Sequence, residues 1–246
     1  MCIRDRVPGL TRLGWSAITP EFDPYKYNSF TTNAATQVRQ LTQSVSSRIS
    51  SLSGTENAMQ MPPILAFKST VDATVTTEAV VDRLLSRLPD NGNELVLFDI
   101  NRSAIASTIL VADPGPLTNQ LMGDASLPFT IRLITNQSPE SLNVVARVKP
   151  AGSADVATTI DLDAAWPQGI ISLSHVALPF PPDDPLYGQY PPENPGELFL
   201  GQLQIRGERG LMRISSDWLL RLRYNPFYDI LESRTIHWLD SIETGQ

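Results

Sequence analysis

The most regular pattern of apolar and polar positions lies between residues 32 and 52. Five apolar side chains recur there at steps of three and four residues on a background of Gln, Ser, Thr and Arg: Val38, Leu41, Val45, Ile49 and Leu52. This spacing places the five side chains on one face of an α-helix. The pattern therefore predicts an amphipathic helix over residues 32–52, with Asn33 as its N-cap and Gly54 as its stop signal.

A strand–helix–strand pattern follows this helix. Residues 63–67 form a short apolar run of the kind found in buried parallel strands, and residues 95–98 form a second such run. Between them, residues 77–88 carry apolar side chains at helical spacing. Because the connections are short, the pattern predicts a parallel, right-handed βαβ unit. An α/β fold is therefore favoured over an all-β fold.

The pattern changes again in the second half of the chain. Three segments rich in β-branched residues are separated by turn sequences, and they cover residues 129–134, 143–148 and 157–162. They predict an antiparallel β meander inserted over about residues 128–163.

Four further segments complete the prediction along the chain. We expect a short helix over residues 103–111 and a strand over residues 169–178. The Pro-rich residues 179–195 predict an irregular surface loop. Residues 211–242 are expected to be largely helical, with an interruption at Asn225-Pro226.

Composition and charge exclude several classes of function. The formal net charge of −7 argues against binding to nucleic acid, which requires a concentrated basic face. No apolar run approaches the roughly 18–20 residues of a membrane-spanning helix. The sequence contains no metal-ligand spacing, no phosphate-binding loop and no dinucleotide fingerprint, so no metal or other cofactor is expected.

The N-terminus has an unusual origin. Residues 1–6 read MCIRDR, which resembles the translation of a sequencing adapter, and we exclude them from the fold as a scar. The only cysteine, Cys2, belongs to that scar. We therefore expect the natural reading frame to extend upstream of residue 7.

The sequence contains two histidines as candidates for a general base. His175 ends a predicted strand and precedes the Pro-rich loop, and ligands of open α/β sheets bind at strand ends. His237 lies on the predicted terminal helix, where a structural role is favoured. His175 is therefore the candidate base, and a structural histidine is the alternative reading.

Several aspartates are candidates for the acid that supports such a base. Asp72 follows the first buried strand, where a carboxylate can fix the tautomer of an imidazole and stabilise the imidazolium. The alternative is that Asp72 caps the helix that opens near Thr76. Asp99 follows the second strand and is a rival acid, whereas Asp183 and Asp184 are expected to be solvated turn residues.

A nucleophile is not found in the sequence. The Gly-x-Ser-x-Gly elbow, in which a strained turn between strand and helix exposes the serine, does not occur. The nearest match, at residues 14–17, lacks the second glycine and follows no predicted strand.

Taken in order, these features resemble the α/β-hydrolase superfamily, close to bacterial proteins labelled lysophospholipase-like or serine-aminopeptidase-like hydrolases. The most specific likeness is the string SLSHVALPFPPDDPLYG at residues 172–188. Four other stretches contribute to it: residues 20–30, 64–75, 95–102 and 221–227.

The resemblance implies a serine hydrolase whose triad runs serine, acid, histidine along the chain. Asp72 matches the position of the acid and His175 that of the base, while the serine and the oxyanion hole are expected upstream of residue 7. Residues 7–60 are then a cap or lid segment. Residues 61–246 are the C-terminal half of the hydrolase core, in which the β insertion separates acid from base.

The expected activity is hydrolysis of carboxylic esters of a lipid or other small acyl substrate by the intact protein. The chain itself is expected to be inactive because it lacks the serine. A non-catalytic α/β binding or scaffold protein is the alternative.

Overall fold

The computed structural model describes residues 14–25, 27–104, 110–194, 196–205, 211–212 and 220–244. Contacts between residues divide the chain into two units, one that ends at Leu52 and one that begins at Ser53. Within the described ranges, every helix is too short or too polar to cross a lipid bilayer.

The first unit contains a small hairpin and one long helix. Strand β1 (Trp15–Ala17) pairs antiparallel with β2 (Phe30–Thr31), and helix α1 (Thr32–Leu52) follows directly. The predicted helix bounds are confirmed, but the predicted cap is wrong. The Thr31 hydroxyl accepts a hydrogen bond from the Ala34 N–H at 3.1 Å, so Thr31 is the N-cap and Asn33 lies inside the first turn.

The second unit is built from five-stranded and two-stranded sheets with four helices among its described residues. Its elements in chain order are α2 (Glu56–Met59), β3 (Leu65–Ser69), α3 (Thr77–Arg83), β4 (Glu94–Phe98), α4 (Gly115–Gly123), β5 (Thr130–Asn136), β6 (Asn143–Lys149), β7 (Thr158–Ala165), β8 (Leu203–Ile205), β9 (Leu220–Leu222) and α5 (Tyr228–Glu243). A single 3-10 turn, Leu85–Arg87, follows α3. The fold is therefore a mixed α/β fold.

The five-stranded sheet has the order β3-β4-β5-β6-β7. Strands β3 and β4 are parallel and are joined through α3, so the parallel pairing and the helical connection of the predicted βαβ unit are confirmed. Strand β5 is also parallel to β4, with Leu95 opposite Ile131, whereas β5, β6 and β7 are antiparallel neighbours. The three antiparallel strands of the predicted meander are present, and the first of them, β5, also pairs parallel with β4. Helix α4, which the sequence pattern did not predict, provides the crossover between β4 and β5.

Strand β4 is buried on both faces of the sheet. Leu95 and Leu97 belong to the apolar cluster that includes residues of α3 and α4, whereas Val96 and Phe98 belong to the cluster on the opposite face. Phe227, just before α5, packs against Phe98 in this second cluster. These four apolar side chains of β4 have no exposed surface. Burial of each such side chain stabilises the fold by roughly 1.5–3 kcal/mol, and β4 is therefore the centre of the core.

The buried carboxylate of Glu94, at the beginning of β4, forms an ion pair with Arg234 of α5. Glu94 accepts a hydrogen bond from Arg132 at 2.9 Å and from Nε of Arg234 at 2.8 Å. A second contact joins the Arg234 guanidinium to the other Glu94 oxygen. Glu94 is buried, so the two arginines supply the charge that its carboxylate requires inside the protein.

The predicted strand over residues 169–178 is wrong. Gly169 has a φ of +78°, and the chain from Ile170 onward runs as an irregular segment that enters a turn at His175. The Asn101 backbone N–H donates to the Ile171 carbonyl at 2.7 Å, and the Asn101 side chain donates to the Ile170 carbonyl at 2.8 Å. These two bonds satisfy carbonyls that a neighbouring strand would otherwise pair.

The C-terminal prediction is correct only for the last helix. Helix α5 begins at Tyr228, just after the predicted interruption at Pro226. Before it, strand β9 pairs antiparallel with β8 instead of continuing a helix. Residues 213–219 lie outside the described residues, as do residues 105–109 of the helix predicted over residues 103–111.

Candidate active site

Asp72 lies in a tight turn just beyond the carboxyl end of β3. The Asp72 backbone N–H donates to the Ser69 carbonyl at 3.2 Å. Its carboxylate oxygen Oδ1 accepts hydrogen bonds from the N–H groups of Thr74 at 2.7 Å and Val75 at 3.2 Å. An aspartate that bonds its own backbone in this way closes a turn, and the turn fixes the orientation of the carboxylate.

The alternative role of Asp72 as a helix cap is wrong. Helix α3 is capped by Thr76, whose hydroxyl accepts a hydrogen bond from the Ala79 N–H at 3.3 Å. Asp72 lies four residues before that cap, so its carboxylate organises the turn that leads to the helix and does not cap the helix itself.

The structure brings the two predicted site residues together. The imidazole Nδ1 of His175 lies 3.5 Å from Asp72 Oδ1, although about a hundred residues separate them in the sequence. The His175 side chain is 30% exposed and the Asp72 side chain is 8% exposed. The imidazole is therefore accessible from solvent, while the carboxylate beneath it is shielded. The distance slightly exceeds the roughly 2.7–3.2 Å of an N–H···O hydrogen bond, so the two groups are in close polar contact.

Sequence reasoning missed a third member of this group, Lys68. The ammonium Nζ of Lys68 lies 2.7 Å from Asp72 Oδ2, and the lysine side chain is only 6% exposed. The same Nζ donates to the Ser69 carbonyl at 3.3 Å. The available signal was a lysine inside an apolar strand, four residues before the candidate acid.

The surroundings of Asp72 keep it ionised. Burial alone would raise the pKa of the Asp72 carboxyl. The hydrogen bond and positive charge of Lys68, together with the N–H groups of Thr74 and Val75, outweigh that effect and hold the pKa below the ordinary value of 3.8. At neutral pH the site therefore contains a carboxylate beside the imidazole.

The rival acid Asp99 belongs to a different network. Its two oxygens accept hydrogen bonds from Arg102 at 3.0 and 3.1 Å and from the Thr135 hydroxyl at 2.9 Å. Arg102 also donates to Asp113 at 2.7 Å. Asp99 therefore forms an ion pair with Arg102, whereas Asp72 contacts His175, the candidate base.

The remaining candidates lie apart from this contact. Asp184 closes a turn in the Pro-rich loop, since its Oδ1 accepts hydrogen bonds from the N–H groups of Leu186 at 2.9 Å and Tyr187 at 2.8 Å. Asp183 is exposed in the same loop, and His237 is exposed on α5. The prediction that Asp184 is a turn residue is therefore confirmed.

A cavity of about 230 Å³ opens beside Asp72. Residues from the turn, from α3, from α4 and from the segment before α4 line it, among them Thr70, Val71, Thr77, Pro114 and Leu117. A larger cavity of about 430 Å³ is lined by Arg102, Asp113 and Arg147 and belongs to the Asp99 network. Of these two cavities, the smaller one is lined by Asp72, whereas His175 is not among its lining residues.

Comparisons with protein-family models, curated proteins and solved structures found no match. In the described part of the chain, no three His, Cys, Asp or Glu side chains are grouped so that they could hold a metal ion. The chemistry that the site itself offers is an ionised, oriented carboxylate next to an accessible imidazole.

Proposed function

We propose that this chain carries the acid and the base of an α/β-hydrolase-type serine hydrolase that acts on carboxylic esters of lipid or other acyl substrates. The observation that supports this proposal is the 3.5 Å contact between Asp72 and His175. Asp72 follows the carboxyl end of a parallel strand, which is where open α/β sheets bind their ligands.

In the proposed mechanism His175 acts as a general base and then as a general acid. Nδ1 of His175 faces Asp72, so Nε2 is the nitrogen that serves the serine. Nε2 accepts the proton of the serine hydroxyl as the serine oxygen bonds to the acyl carbon, and returns it to the departing alkoxide. Water then hydrolyses the acyl-serine by the same sequence. Proton transfer of this kind contributes about 10²- to 10⁴-fold to the rate.

Asp72 has an orienting and electrostatic role in this mechanism. The turn bonds from Thr74 and Val75 hold its carboxylate in place below the imidazole. A fixed negative charge stabilises the imidazolium that forms when the serine is deprotonated. Catalytic hydrogen bonds are often long in the absence of substrate, so the 3.5 Å contact is compatible with a shorter one in the substrate complex.

The nucleophile in this proposal comes from sequence upstream of residue 7. The 246 residues contain no Gly-x-Ser-x-Gly elbow, and the oxyanion hole is proposed to precede residue 7 as well. Residues 7–60 are proposed as the lid segment. The chain by itself is then inactive, and activity belongs to the product of the natural reading frame that contains this sequence, here called the parent protein.

A non-catalytic α/β binding or scaffold protein is the second candidate. The observation that favours it is that Asp72 already has several structural partners. Its Oδ1 accepts two backbone hydrogen bonds, and its Oδ2 contacts Lys68. In such a protein the carboxylate only holds the turn after β3. This candidate does not require a nucleophilic serine in the parent protein.

Covalent labelling of the parent protein with a fluorophosphonate separates the two candidates. The hydrolase proposal expects rapid labelling of one serine in a Gly-x-Ser-x-Gly sequence, slowed by His175→Gln and unchanged by His237→Gln. The second histidine is a matched control because it is exposed on α5. Absence of labelling, or equal labelling of wild type and His175→Gln, contradicts the hydrolase proposal.

A further inference from the structure

The two oxygens of the Asp72 carboxylate have different partners. Oδ2 contacts the ammonium of Lys68 at 2.7 Å, whereas Oδ1 faces the turn amides and His175. Lys68 lies on β3, and Asp72 lies in the turn that follows this strand. The contact with Lys68 therefore fixes which oxygen of the Asp72 carboxylate faces His175.

We propose that Lys68 is a positioning residue of the Asp72–His175 pair, which it serves by holding the carboxylate ionised with Oδ1 directed at the imidazole. This inference rests on the proposed hydrolase function. Lys68 touches neither substrate nor reacting atoms, and it acts through Asp72 alone.

Stability alone is a weak reason for a lysine at this position. Ala66, which lies on the same face of β3 as Lys68, packs against the apolar core, and an apolar side chain at position 68 would require no counterion. Taking an ammonium out of water has a large desolvation cost, and buried ion pairs are often no more stable than well-packed apolar residues. A buried lysine that contacts the proposed acid therefore calls for a role in the site.

The electrostatic consequence of Lys68 is specific to Asp72. Burial of Asp72 raises its pKa, and Lys68 is one of the groups that reverse the effect. Among the described residues, the other charged or titratable groups that contact Asp72 or line the cavity beside it are His175, Glu78 and Asp113. Of these, only His175 when protonated could replace the positive charge of Lys68. Without the lysine, the carboxyl would therefore become protonated at a higher pH, and in its protonated form it could not stabilise an imidazolium.

The first test measures the titration of the Asp72 carboxyl carbon by NMR in the 246-residue chain. Lys68→Met is expected to raise the pKa of Asp72 by about one to three units, the usual effect of an adjacent opposite charge, and Lys68→Arg is expected to restore it. Lys149→Met is the matched control, because Lys149 is a fully buried lysine of β6 whose ammonium donates to the carbonyls of Asp124 and Ser153. The control should leave the Asp72 titration unchanged.

A measurement on the unmodified chain covers the case in which Lys68→Met fails to fold. The nitrogen resonance of the Lys68 ammonium should shift with the same midpoint as the Asp72 carboxyl. An Asp72 titration that is unchanged in Lys68→Met, or a Lys68 resonance that is insensitive to Asp72 protonation, overturns the proposal.

The second test uses ester hydrolysis by the parent protein. Lys68→Met should lower kcat by about 10- to 100-fold, the scale of a small misplacement of a catalytic group, with little change in KM. The acid limb of its pH profile should move to higher pH, and Lys68→Arg should recover both. A raised Asp72 pKa with unchanged kcat overturns the positioning role. Absence of labelling by fluorophosphonate in the wild type overturns the hydrolase function instead, so the two failures are distinguishable.

Discussion

Replacement of Asp72 by asparagine gives the sharpest test of the charge arrangement at the site. Asp72→Asn keeps the shape of the side chain and retains an oxygen for the N–H groups of Thr74 and Val75. It removes the negative charge that lies 2.7 Å from the Lys68 ammonium. The substitution therefore leaves a buried cation without its counterion.

The expected magnitude follows from the burial of the pair. The two side chains are 6% and 8% exposed, so solvent screens their interaction weakly. Removal of one partner of a buried ion pair costs about 3–5 kcal/mol, and the retained turn bonds favour the lower end, about 3 kcal/mol. At about 2–4 °C per kcal/mol for a chain of this size, Tm should fall by about 6–12 °C.

The assay is thermal and urea unfolding of the 246-residue chain at several pH values. The folded-state pKa of Asp72 is lowered, so its ionised form stabilises the fold above about pH 4, and this contribution is lost as the pH falls through the folded-state pKa, below 3.8. The difference between wild type and Asp72→Asn should therefore shrink as the pH falls below about 4. Asp155→Asn, at an exposed aspartate, should change stability by less than about 0.5 kcal/mol.

A double-mutant cycle with Lys68 completes the test. The double variant Lys68→Met/Asp72→Asn should be more stable than the sum of the two single effects predicts, with a coupling of about 2–3 kcal/mol, because no buried charge is left alone. Additive effects, or a wild-type advantage that persists at low pH, would refute the ion-pair reasoning.

Three further predictions concern the scaffold that holds the site. Glu94→Gln should lower stability by about 3–5 kcal/mol in urea unfolding, because the two arginines around the carboxylate keep their charge; full stability would contradict this. Leu97→Ala should cost about 2–5 kcal/mol at a fully buried position, whereas Leu220→Ala, at an exposed one, should be near neutral by the same assay. Gly188→Ala should destabilise by about 1–3 kcal/mol in thermal unfolding, since an added Cβ would lie 2.6 Å from a backbone carbonyl; Gly123→Ala, which meets open space, is its control, and equal effects would disprove the steric reason.

The sequence alone was sufficient to predict the helices and strands that have a regular apolar pattern of their own. The periodic apolar positions of α1 and the apolar runs of β3 and β4 identified these elements, because burial on one helix face or in a central strand imposes such patterns. Asp72 and His175 were predicted from their positions after apolar segments and from the resemblance to the hydrolase superfamily, although the strand that His175 was expected to end does not form. Their contact depends on the path of the chain between them, which no local pattern encodes.

The errors arose where partners distant in sequence decide the structure. The apolar segment before His175 is held by the side chain and backbone of Asn101, so it does not need a neighbouring strand. Strand β5 reads locally like a hairpin strand, but its parallel pairing with β4 depends on the crossover α4. Lys68 was missed for a different reason, because its partner Asp72 is only four residues away but meets it only through the turn after β3.

Ester hydrolysis by the parent protein tests the central claim most directly. The measurement is kcat/KM for a p-nitrophenyl ester, compared among wild type, His175→Gln and His237→Gln. If His175 is the general base supported by Asp72, His175→Gln should lower kcat/KM by about 10²- to 10⁴-fold while His237→Gln remains at the wild-type value. Equal activity of the two histidine variants would contradict the account.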